Sequence, residues 1–137
     1  MRLLGVDFGG TRIGLATADD QFGLPSPLPP LAASGTLAKD AAAIAQIAAK
    51  QEATLAVVGL PLNEDGSDSK MARICRMLGT QIEAQGLSVA YVDESFTSAR
   101  SEEALGAMGM KASQIRRQVD GEAAARILVR YVEGRDA

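Results

Sequence analysis

An α/β domain on a mixed sheet is the architecture this sequence predicts, and three observations carry it. Two short apolar segments near the start, Leu3–Phe8 and Ile13–Ala18, are separated by Gly9-Gly10 at hairpin distance. Leu55–Leu60 is apolar without interruption and Leu87–Val92 nearly so, the pattern of strands buried on both faces. Helix-forming stretches separate and follow these two runs, so the later strands are joined by crossovers and expected to lie parallel, while the opening pair is antiparallel.

The elements follow in order. After the hairpin, residues 23–30 hold four of the five prolines; proline cannot donate to a ladder, which limits this stretch to an edge strand or an extended loop. Thr36–Lys50 is alanine-rich with Ile44 and Ile47 three apart, a helix whose small face permits close packing on a sheet. Pro61–Ser67 reads as a loop, and a helix capped by Ser67 or Asp68 is expected to run to about Gln85. The strand 87–92 ends in Asp93-Glu94. A helix over Ser98–Met108, a break near Gly109 and a final helix from about Val119 to Glu133 complete the order β-β-(β)-α-β-α-β-α-α. No internal repeat or low-complexity linker interrupts residues 1–137, which read as a single domain.

Composition removes much of the catalytic menu. The 137 residues include 14 Lys+Arg, 17 Asp+Glu, one cysteine and no histidine. Without imidazole there is no Ser-His-Asp triad, no Cys-His pair and no His-ligated zinc, so chemistry falls to carboxylates, Lys or Arg, hydroxyls, backbone amides or Cys75. A lone cysteine makes no internal disulfide and suits a reducing compartment. The first residues contain no apolar run of signal or membrane length, so the expectation is a cytoplasmic protein with no membrane partner. A net charge of −3 argues mildly against bulk nucleic-acid binding. The charge is unevenly spread, however. Lys70, Arg73 and Arg76 recur every third residue, and residues 111–137 carry Lys111, Arg116, Arg117, Arg126, Arg130 and Arg135 against Asp120, Glu122, Glu133 and Asp136. Solvated helix faces account for such groups more readily than nucleic-acid binding does. Phe8, Phe22, Phe96, Tyr91 and Tyr131 are too few for a base-stacking platform.

In an open α/β sheet, ligands collect at the carboxyl ends of the strands, and three acidic positions fall there or nearby. Asp7 is embedded in the first strand, where a carboxylate costs several kcal/mol unless it is paired, hydrogen-bonded or metal-bound. Asp93-Glu94 closes the last strand and also reads as ordinary loop charge; Asp120 opens the last predicted helix and also suits a cap or first-turn residue. Converging, such oxygens suit a hard divalent cation, Mg²⁺ or Mn²⁺, rather than zinc. Two such ions about 4 Å apart would activate a water and stabilise the leaving 3′-oxygen of a phosphodiester without any protein imidazole. Gly9–Arg12 forms a tight turn whose amides can face an anion, although Gly-Gly is also a routine hairpin sequence. Gly59-Leu60-Pro61, followed by Asn63 and Gly66, stands at a second strand end.

Four ordered segments, LGVDFGGTRIGLA (4–16), VVGLPLNEDGSDS (57–69), YVDESFTSARSEEAL (91–105) and VDGEAAARILVRY (119–131), resemble the Holliday-junction resolvase family also called pre-16S ribosomal RNA nucleases, YqgF or RuvX. The resemblance implies a ribonuclease H-like fold, with a five-stranded mixed sheet flanked by helices. It also implies an endonuclease using Mg²⁺ or Mn²⁺, with catalytic and metal-binding acids on Asp7, Glu94 and Asp120 and substrate contacts from Gly9, Thr11, Arg12, Asn63, Arg100 and Arg116. The implied partner is nucleic acid, either ribosomal RNA precursor or branched DNA, and a homodimer would suit a two-fold junction. Two positions depart from the family pattern: Thr11 and Ser95 stand where basic residues are usual, which leaves Arg12, Arg100 or Arg116 to compensate. Glu94 has to reach across one neighbouring strand, with strands about 4.8 Å apart, and Asp93 is its rival. Asp7-Phe8-Gly9-Gly10-Thr11 also looks like the first phosphate motif of sugar kinases and actin-like ATPases, which enclose a nucleotide between two such domains. A non-catalytic nucleic-acid-binding module is the remaining alternative.

Overall fold

The structure, a computed structural model, describes residues 1–21, 24–94 and 112–136, with side chains in the last stretch described from 121 to 134. Strands β1 (Arg2–Phe8) and β2 (Arg12–Asp19) form the expected antiparallel hairpin, with Asp7 opposite Gly14 and Phe8 opposite Ile13. Gly10 turns the chain between them at φ +90°, a conformation that side chains rarely adopt. Strand β3 (Ser26–Ala32) pairs antiparallel with β2 at the edge of the sheet, the position that tolerates Pro27, Pro29 and Pro30.

The remainder alternates as predicted: α1 (Leu37–Lys50), β4 (Leu55–Leu60), α2 (Lys70–Ala84), β5 (Ser88–Asp93) and α3 (Ala112–Asp136). The sheet order is β3-β2-β1-β4-β5, and β1, β4 and β5 are mutually parallel. Alternation along the strands sorts the side chains into two apolar layers. On one face Leu4, Val6, Phe8, Ile13, Leu15, Ala56 and Val58 meet Ala41, Ile44 and Ala48 of α1 and Ala72, Cys75, Leu78 and Ile82 of α2. On the other, Leu3, Ala16, Leu55 and Val57 meet Ala124, Ile127 and Leu128 of α3, which touches all five strands. The approach of α3 is close: a Cβ on Gly5 would stand 2.5 Å from the Ala124 carbonyl oxygen, and one on Gly121 would stand 2.6 Å from Cβ of Pro27.

Two boundaries differ from the sequence expectation. Helix α2 is capped by Ser69, whose Oγ accepts from the Ala72 N–H at 3.0 Å and donates to the Pro61 carbonyl. Ser67 is instead bound to Asp65 within the loop, and Asp68 to Arg76, so neither expected cap is available. Helix α3 begins at Ala112 rather than near Val119, so Asp120 lies inside the helix and not in its first turn. Gly121 does not break that helix, because its missing side chain is what admits Pro27. The predicted helix Ser98–Met108 and the break at Gly109 lie outside the described residues.

The tight α3 contact yields a stability prediction. Gly5→Ala forces a methyl against backbone and is expected to destabilise by about 1–3 kcal/mol. Gly134→Ala, in a helix with nothing within 4 Å, is expected to stabilise by up to about 1 kcal/mol. Urea unfolding of the two variants measures both; equal effects would refute the close approach.

Candidate active site

The carboxyl ends of β1, β4 and β5 share one edge of the sheet, and the loops 9–11 and 61–69 leave from that edge. Asp7, next to last in β1, belongs by alternation to the α3 face, together with Leu3 and Gly5. Its partner on β2 is Gly14, and one step beyond the Val6–Val58 pair its neighbour on β4 is Gly59, which pairs in turn with Val92 on β5. The row is therefore Gly14, Asp7, Gly59, Val92, a carboxylate between two positions without side chains.

Glu94 lies two residues beyond Val92 and keeps that parity. Its N–H donates to the Leu60 carbonyl at 3.0 Å, which extends the β4–β5 ladder past the end of β5 and holds the residue in register. Its side chain reaches over Gly59 and is hydrogen-bonded to the Asp7 side chain. The reach across β4 that the sequence demanded is thus made. The rival Asp93 is exposed, one residue out of phase with Glu94, and uses its carbonyl to accept from Arg130 of α3.

The electrostatics are those of like charges brought together in a partly dry site. Burial first, then the Asp7 charge and the hydrogen bond to Asp7, push the Glu94 carboxyl up to about 9, while Arg130 acts in the opposite sense. Cys75 approaches from the α2 face and is buried; desolvation, with smaller contributions from Glu94 and Asp7, pushes its thiol up to about 12. Of the groups that composition left open, Cys75 is therefore no nucleophile.

The other predicted residues are dispersed along the same edge. Gly9 donates its N–H to the Arg12 carbonyl at 2.9 Å, closing the turn, and the exposed Thr11 accepts the Ala33 N–H on its carbonyl. Arg12 is half-buried at the start of β2. Asn63 organises its own loop: Nδ2 donates to Ser67 Oγ at 3.0 Å and to the Asp68 carbonyl at 3.3 Å. Arg76, exposed like Lys70 and Arg73 of the same row, is bound through two nitrogens to Asp68, at 2.8 and 3.1 Å, and lies over the Tyr91 ring. Arg100 and the side chains of Asp120 and Arg116 lie outside the described residues, as does Ser95. Among the described residues no group of three or more metal-ligating side chains converges, and Asp7 and Glu94 are the acids brought together. Arg130 is the neighbour that sequence reasoning passed over; it was counted among the basic residues of 111–137, with no local signal to tie it to the end of β5.

A five-stranded mixed sheet covered on both faces, with paired carboxylates at its carboxyl edge, is a ribonuclease H-like fold, and the class is that of nucleases that hydrolyse phosphodiester bonds. The chain belongs to the RuvX family, described as Holliday junction resolvase, whose sequence profile matches residues 1–134. A relative from Anaeromyxobacter dehalogenans (strain 2CP-1) named "Putative pre-16S rRNA nuclease" is 44% identical over 136 residues, covering 98% of either chain. One of the same name from Synechococcus sp. is 35% identical and covers 95% of this chain and 87% of its own. Among solved structures, RuvC of Thermus thermophilus superposes with a TM-score of 0.56 at 14% identity, over 98% of this chain and 96% of that one. The same protein in complex with a Holliday junction substrate gives 0.54 at 15% identity, over 100% and 96%.

The raised carboxyl has a pH signature. A group whose value in the fold lies above its ordinary 4.5 contributes stability that is complete below 4.5 and lost as the pH climbs toward about 9. Metal-free protein in chelator is therefore expected to lose thermal stability across that window. Glu94→Gln, neutral throughout, is expected to melt above the parent near pH ~8 and to show a flatter profile. Parallel melting curves for the two proteins would contradict the shared burial of Asp7 and Glu94.

Proposed function

We propose that this chain is a divalent-metal-dependent endonuclease that matures the 5′ end of precursor 16S ribosomal RNA, with Asp7, Glu94 and Asp120 as its acidic ligands and Mg²⁺ or Mn²⁺ as its ion. The observation that carries the reading is the hydrogen-bonded contact of Asp7 and Glu94 across β4. Two carboxylates so placed share either a proton or a cation, and an all-oxygen donor set fits a hard ion. When bound, a divalent cation supplies Lewis acidity and lowers the pKa of a coordinated water. Asp7 holds its ligand position on the central strand, where hydrogen bonding on both sides fixes the backbone. Glu94 closes the same site from β5, and Arg130 beside it offsets part of the pair's negative charge. The loops Gly9–Arg12 and Asn63–Ser67 stand along the edge where a phosphate backbone would lie, and in this reading Thr11, Arg12 and Asn63 are the residues that contact it. In this reading Arg100 and Arg116 add cations, residues 1–137 act as one nuclease domain, and the protein works in the cytoplasm.

Precursor RNA is put first on the ribosomal RNA name that relatives of 35% and 44% identity carry; the family's description as Holliday junction resolvase keeps branched DNA as the second substrate, and the likeness to RuvC at 14% identity speaks for the fold alone. Cleavage of a labelled 16S precursor and of a four-way DNA junction, each with Mg²⁺, tests this. Asp7→Asn is expected to lower cleavage by about 100-fold or more while the protein stays folded, the size of losing a group that stabilises transition-state charge. A folded Asp7→Asn protein as active as the parent would end the mechanism. Cleavage of the junction but not the precursor would retain the mechanism and transfer the substrate to branched DNA.

A further inference from the structure

Glu94 and Asp7 meet across an intervening strand, and the position between them, Gly59, carries no side chain. A Cβ built on Gly59 would stand 2.6 Å from both Cδ and Oε2 of Glu94, and 2.5 Å from Cδ1 of Ile127. Each neighbour would have to give way: the Glu94 main chain is held by its N–H to Leu60, so only its carboxylate end can shift, and Ile127 of α3 is buried against the sheet. Gly59 has no positive φ, so backbone freedom does not explain the glycine. We propose that Gly59 is a positioning residue, a gap in β4 through which the Glu94 carboxylate passes to reach Asp7. In this way a strand that contributes no acid of its own serves the site by leaving space. The inference rests on the metal-binding reading of the Asp7–Glu94 pair only for its consequence in catalysis; the passage of the side chain is a matter of geometry.

The experiment works in an Ile127→Val background, which removes Cδ1 and so leaves Glu94 as the atom group that a methyl at position 59 would strike. Gly59→Ala in that background is expected to displace the Glu94 carboxylate from Asp7 in a crystal structure of the metal-free protein. It is also expected to weaken Mn²⁺ binding, followed by electron paramagnetic resonance, by about 10–100-fold, as for a lost supporting contact, and to lower cleavage in step. A double-mutant cycle gives a second readout: Gly59→Ala should lower Tm less when Glu94→Ala is also present, because the struck group is gone. A carboxylate still bonded to Asp7 in the alanine variant, or Tm losses that simply add, overturns the proposal. A displaced carboxylate with undiminished Mn²⁺ binding supports the passage through Gly59 and overturns the metal reading instead.

Discussion

Asp7 and Glu94 stand in hydrogen-bonding contact while one of them carries a proton and repel each other once both ionise, so their juxtaposition depends on how the backbone holds them. Asp7 is fixed by β2 on one side and β4 on the other. Glu94 is fixed by a ladder bond that continues past β5 to the Leu60 carbonyl. The raised carboxyl value is the thermodynamic trace of burial first and of the Asp7 charge second: the metal-free site is destabilised when both groups ionise, and in the proposed reading a cation would relieve it. A site organised in this way needs little rearrangement when its ligand arrives, which is where preorganisation yields affinity.

The two faces of the sheet divide the work. The α1–α2 face is continuous and apolar, from Leu4 and Val6 through Ile44, Leu78 and Ile82, and burial there scales with area at about 25 cal/mol per Å². The α3 face is built from small residues at close range: Gly5 under Ala124, Gly121 against Pro27, Gly59 under Ile127. Close approach of this helix shields one side of the acidic pair. Cys75 sits beneath the pair on the opposite face, where a buried neutral thiol fills volume and adds no third charge.

Much of this was legible in the sequence, and the rest was hidden for identifiable reasons. Unbroken apolar character placed β4 at its observed bounds, and proline density limited the next stretch after the hairpin to an edge strand or an extended loop, of which the fold takes the edge strand. Asp7 stood out because a carboxylate has no local reason to interrupt an apolar strand. The choice between Glu94 and Asp93 was also within reach, since Ala90, Val92 and Glu94 share a parity and only that parity faces α3. Other features depend on contacts between distant segments and leave no local trace. Ser69 becomes the α2 cap because Asp68 and Ser67 are engaged by Arg76 and Asp65. The early start of α3 overrides the polar stretch before Val119. Gly59 looked like a glycine at a strand end until its neighbours across the sheet were known.

Net charge then takes on a different meaning at the edge of the sheet. Two ionised carboxylates present about two negative charges to an incoming phosphate, a repulsion strengthened by the low dielectric of a half-buried site. In the proposed reading one divalent cation would cancel them, and Arg130, beside Glu94 and anchored on the Asp93 carbonyl, offsets the neighbouring Asp93 carboxylate, so that these groups sum to about zero. Arg76 contributes less to that sum, because its guanidinium is matched to Asp68 and stacked on Tyr91, an exposed pairing that organises the loop before α2 more than it stabilises the fold. Lys70 and Arg73 remain exposed on the same helix. A chain of net charge −3 can therefore present an edge that does not repel a polyanion, because the acids that make the total negative include those that the proposed cation would occupy.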